Sequence, residues 1–88
     1  MTRVEKLEVL EYMERRYRRI YNESVGIDSG VTFEAQQNLH YVGKLIGFVM
    51  YGANSIGDIW LQDKLEERYQ EEMEYTLDVI KGRVEVAV

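Results

Sequence analysis

Apolar residues recur three and four positions apart through most of the chain, the spacing that gathers side chains onto one side of an α-helix. In the first segment the stripe is Leu7, Leu10, Met13, Tyr17, Ile20 and Tyr21, with Glu8, Arg15 and Arg19 opposite. In the last it is Leu61, Leu65, Tyr69, Met73, Thr76 and Ile80, set against Asp63, Glu67, Glu71, Glu74 and Asp78. The middle segment is apolar on two sides. One stripe is Ala35, Leu39, Val42, Leu45, Ile46 and Val49; the other is Phe33, Tyr41, Phe48 and Tyr51, with His40 and Lys44 between them. A surface helix needs only one apolar face, so the second predicts central burial or a partner.

Local signals set the boundaries. Thr2 with Glu5 has the spacing of a capping box, and Gly26 can supply the left-handed stop. Thr32 is the expected cap of the second helix, with Glu34 in its first turn, and Gly52 its end. Ser55 with Asp58 forms another candidate box, and Gly82 closes the third helix. The expectation is an all-α three-helix bundle, with helices over about 2–25, 32–51 and 55–81, in one domain spanning 1–88. Short loops would make neighbours antiparallel, with the first and third helices running parallel. From Arg83 to Val88 the pattern switches to period two, predicting a short extended C-terminal tail.

Composition changes the picture little. At 88 residues, 45% apolar and 31% charged, the chain matches a small globular domain rather than a disordered one. It has no cysteine, which removes disulfides, thiol catalysis and cysteine metal ligands. Thr2 to Lys6 is charged and amphipathic, without the apolar run of a signal peptide. The longest uncharged stretch, Leu45 to Gly57, is 13 residues, short of the ~20 that span a bilayer. A cytoplasmic protein away from membranes is expected.

Charge is unevenly distributed. Residues 1–25 carry six basic and five acidic groups, whereas residues 58–88 carry four basic and nine acidic groups. The net charge of −5 argues against general nucleic-acid binding and leaves an acidic face for a basic partner.

Four features are candidates for function. The aromatic side of the second helix, with Phe33, Tyr41, Lys44, Phe48 and Tyr51, is expected to form a homodimer interface. Gly43 and Gly47 beside it would allow close helix approach. Trp60 and the acidic face of the third helix (Asp63, Glu67, Glu71 and Glu74) are the candidate contacts to a larger protein. Tryptophan is a frequent interface anchor, and a row of carboxylates on a rigid helix can stand in for nucleic-acid phosphates. The alternative is nucleic-acid binding through Arg15, Arg16, Arg18 and Arg19. Internal pairing with Glu71, Glu72 and Glu74 is the competing use of those arginines.

Catalysis has little support. His40 is the only histidine, and no serine is spaced to work with it. Gln37 stands where a Glu-x-x-His di-metal element would need glutamate. The Glu-x-x-Glu spacings (Glu8, Glu11 and Glu14; Glu71 and Glu74) point away from the apolar stripes, and no phosphate loop is present. No metal or cofactor is expected. The residues favour a non-enzymatic protein-interaction module, a small acidic regulator or inhibitor of a larger cytoplasmic protein. In size and charge this is the profile of phage-encoded anti-defence proteins such as anti-CRISPRs.

Overall fold

The computed structural model describes residues 1–52 and 59–84, and for residues 59–62, 64 and 65 the backbone alone. It contains α1 (Arg3–Ser24), α2 (Ser29–Tyr51) and α3 (Ile59–Ile80), with no strand among the described residues. The chain is an all-α three-helix bundle, as the periodicity predicts. The Ser55–Asp58 box and residues 85–88 of the expected extended tail lie outside the described residues.

The first capping box forms as read. The Thr2 hydroxyl accepts from the Glu5 amide at 3.1 Å, and the Glu5 carboxylate accepts from the Thr2 amide at 3.0 Å. Gly26, at φ 82°, takes the left-handed conformation that ends α1.

The start of α2 differs from the expectation. Asp28, not Thr32, is its cap: one carboxylate oxygen accepts from the amides of Gly30 (2.9 Å) and Val31 (3.0 Å). Aspartate ranks above threonine at this position. Its capture of two otherwise orphaned amides draws Ser29 to Val31 into the helix. Thr32 instead turns its hydroxyl back on the turn, donating to the carbonyls of Ser24 (2.8 Å) and Asp28 (2.7 Å).

α1 and α2 form an antiparallel hairpin. Thr32 meets Ser24 at the turn, and at the open end the Arg3 guanidinium donates to the Met50 carbonyl. The core is built from Val9, Leu10, Met13 and Tyr17 of α1, Val42, Leu45, Phe48 and Val49 of α2, and Tyr69 and Met73 of α3. Each large apolar side chain closed off here contributes roughly 1.5–3 kcal/mol.

α3 does not run parallel to α1. Glu66 and Lys81 lie about 22 Å apart along a helical path, yet they engage Lys6 and Glu5, which are neighbours on α1. Glu72 between them reaches further along, to Arg16 and Tyr17. A helix aligned with α1 could not make all three contacts, so α3 crosses the hairpin obliquely.

Candidate interaction surfaces

The two-sided reading of α2 resolves into three kinds of position. Phe33 and Tyr51 are 67% and 71% exposed, whereas Phe48 is 2% exposed and belongs to the core. Phe48 is therefore not available to a dimer interface. Tyr41 is half-buried and turned toward α3, where the Arg68 guanidinium lies 5.0 Å from its ring centre. Lys44 is exposed.

Helical geometry explains the division. At 3.6 residues per turn, Phe33 and Tyr51 are five whole turns apart and point the same way. Tyr41 and Phe48 sit about 60–80° round toward the core, close enough for the other helices to cover them. The outward side of α2 is thus Phe33, Gln37, His40, Lys44, Gly47 and Tyr51. His40 is exposed, with its ring 5.8 Å from that of Tyr41.

On α3, Asp63, Glu67, Glu71 and Glu74 are all exposed. At 100° per residue they fall within about 80° of arc, forming one ridge about 16 Å long. Gln70 donates to Glu74 at 2.9 Å and steadies its end. The neighbouring carboxylates are used internally: Glu66 pairs with Lys6 at 3.2 Å and Glu72 with Arg16 at 3.0 Å. Trp60 belongs to the first turn of α3, and its side chain lies outside the described residues.

The arginine cluster is partly engaged. Arg16 pairs with Glu72 and Arg18 with Glu14 at 2.9 Å, so two of the four cations are already answered by carboxylates. Arg15 lies over Tyr12 at 6.0 Å, and with Arg19 it borders a shallow groove of about 310 Å³.

Where the three helices meet, a cleft of about 480 Å³ is floored by Ile20, Val31 and Ala35 and rimmed by Arg16, Glu34, Arg68 and Glu72. Two polar clusters fix its walls. Tyr17 and Arg16 both donate to Glu72. Asn38 accepts from the Tyr69 hydroxyl at 2.8 Å and from Arg68 at 3.3 Å, and the Arg68 guanidinium also lies 5.4 Å from the Tyr69 ring centre. Burial, then the bond to Glu72, pushes the Tyr17 hydroxyl above the usual tyrosine range; burial does the same for Tyr69. Both hydroxyls remain protonated donors, and the two positive and two negative rim charges offset one another. Sequence spacing placed Tyr17 and Tyr69 in the core but gave no role to Asn38 or Arg68. The available signal was adjacency: Arg68 directly precedes a buried tyrosine.

Among the described residues no group of three histidine, aspartate or glutamate side chains is arranged to hold a metal ion, and no helix is long and apolar enough to cross a membrane. No protein-family model, curated protein or solved structure matches the chain.

Proposed function

We propose that the chain is a non-enzymatic protein-interaction module, a small acidic regulator or inhibitor that docks the outer ridge of α3 on a basic face of a larger protein. The supporting observation is that Asp63, Glu67, Glu71 and Glu74 are exposed along one side of α3, while Glu66 and Glu72 turn to cations of α1. A rigid single-sign ridge steers a basic partner toward it and fixes its register. The module acts as a homodimer through the outward side of α2, where Phe33 and Tyr51 lie exposed on a bundle whose core closes without them.

The test is affinity capture from the native host, comparing the wild type with a Glu67→Lys/Glu71→Lys/Glu74→Lys variant whose helicity is first checked by circular dichroism. Mass spectrometry should identify a protein retained by the wild type and lost by the variant. Its retention should also fall with added salt, since exposed charges are screened within about 10 Å at 0.1 M. The same proteins retained equally by both would reject the ridge.

A further inference from the structure

The outward side of α2 is complementary to itself when reversed. Taken about residue 42, its positions pair as Phe33 with Tyr51, Gln37 with Gly47, and His40 with Lys44. We propose that two copies of the chain associate through this side of α2 with the helices antiparallel, a two-fold axis passing at the level of Val42. This rests on the homodimer put forward above and specifies its geometry.

Each pair brings unlike, matching groups together, as a self-complementary two-fold contact requires. The Phe33 ring of one copy meets the Tyr51 ring of the other at both ends. The Gln37 side chain, half-buried and donating to the Tyr41 hydroxyl of its own chain at 3.3 Å, lies opposite Gly47, where no neighbouring atom lies within 4 Å of the position a Cβ would take. The His40 imidazole, which has an acceptor nitrogen, faces the Lys44 ammonium. A parallel pairing would instead set Lys44 against Lys44, glycine against glycine and each ring against its own copy.

Charge distribution favours the same face. Lys44 is the only Lys, Arg, Asp or Glu among these six positions, in a chain of net charge −5. Two acidic molecules can meet here without opposing their carboxylates, which crowd α3. Paired about Val42, residues 33–51 of α2 overlap in a contact strip about 27 Å long. With four aromatic side chains offering roughly 150–250 Å² each, about two-thirds of it exposed, the rings alone supply on the order of 500 Å². With the backbone between them, the contact approaches ~1,000 Å² over both copies, the lower edge of specific interfaces.

The absence of cysteine allows a direct test. Gln37→Cys and Gly47→Cys are prepared as single variants, oxidised separately and as an equimolar mixture, and resolved on non-reducing gels. Sedimentation equilibrium of the wild type from about 1 to 500 μM is run alongside. In the antiparallel dimer each position lies about 15 Å along the axis from its own copy, too far for the ~7 Å Cα limit of a disulfide. Neither variant alone should cross-link, and the mixture should give a covalent heterodimer. The mixed pair is also favoured sterically, since the shortened residue 37 meets the enlarged residue 47 at the bridge and the other junction stays wild type. Cross-linking of either variant with itself would overturn the antiparallel geometry while leaving a dimer. A wild type that stays monomeric at every concentration would overturn the homodimer altogether, without bearing on the acidic ridge. A sedimenting dimer with no cross-link in any tube would place the interface elsewhere and also reject the proposal.

Discussion

Thr76 offers a measurable stabilisation that follows from one atom. The residue is 1% exposed, within the face of α3 that carries Tyr69 and Met73, and its hydroxyl oxygen has no hydrogen-bond partner among the described residues. Leaving a buried polar group unsatisfied costs roughly 1–3 kcal/mol. Valine has nearly the shape of threonine, is also β-branched and has a similar helix propensity, so Thr76→Val removes that cost and changes little else. The added methyl contributes at most ~0.8 kcal/mol more by burial. A net gain of about 1–2 kcal/mol is expected, or roughly 4–16 °C in Tm at the ~4–8 °C per kcal/mol typical of a domain this size. Urea unfolding followed by circular dichroism should show a higher midpoint with an unchanged slope. Thr76→Ser serves as the control: it keeps the hydroxyl, loses a buried methyl and should destabilise by about 1 kcal/mol. A Thr76→Val protein no more stable than the wild type would refute the reasoning, because the hydroxyl must then have a partner whose loss cancels the gain.

Other substitutions test other parts of the fold. Phe48→Ala should cost about 3–5 kcal/mol, much of the ~4–13 kcal/mol available to a chain this long, while Phe33→Ala in the same helix should change the unfolding midpoint of the monomer by less than ~0.5 kcal/mol. Glu5 accepts from Lys81 and from the Thr2 amide, contacts that hold its carboxyl near pKa 2 against an ordinary 4.5. Its stabilisation is therefore complete above about pH 4.5 and lost as pH falls toward 2, so Glu5→Gln should be less stable than wild type at pH 6 and nearly equal to it at pH 2 by thermal melting. Gly43→Ala, on an exposed helical position with open space around the new Cβ, should raise stability by about 0.5–1 kcal/mol. A low-salt mobility-shift titration with duplex DNA or single-stranded RNA should show no complex; a complex abolished by Arg15→Ala/Arg19→Ala would reinstate the arginine cluster as a nucleic-acid site.

Much of the bundle was legible because its signals are local. The Thr2–Glu5 box, the glycine at the end of α1 and the three-and-four spacing need only a few residues of context. The errors arose where a second element decides the outcome. Phe48 looked like part of an outer face because its angular position sits on the shoulder of the core; the width of the covered arc depends on neighbouring helices. Val9 escaped the first stripe for the same reason, yet it is fully buried. The cap of α2 was misjudged because two candidates, Asp28 and Thr32, compete within one turn, and the stronger acceptor set the start. The crossing of α3 had no sequence signal at all. It emerges from ion pairs between residues 56 to 76 positions apart, which no periodic reading can align.

The carboxylates of α3 divide between an inner and an outer side. Inward carboxylates are matched: Glu66 to Lys6, Glu72 to Arg16, and at the helix end Asp78 to Arg83. Partly exposed pairs of this kind contribute only ~0–1 kcal/mol each, but together they favour one placement of α3 on the hairpin. The outer ridge works in the opposite direction. Asp63 with Glu67, Glu67 with Glu71, and Glu71 with Glu74 stand three or four residues apart, where like charges destabilise a helix by roughly 0.2–0.5 kcal/mol per pair. Taken by themselves these repulsions sum to about 1 kcal/mol at low salt, before the other interactions that Glu67 makes. Glutamine or lysine at alternate positions would relieve that repulsion without touching the core. If the ridge docks on a basic face as proposed, the partner's cations would relieve that repulsion on binding, so α3 should gain stability in the complex.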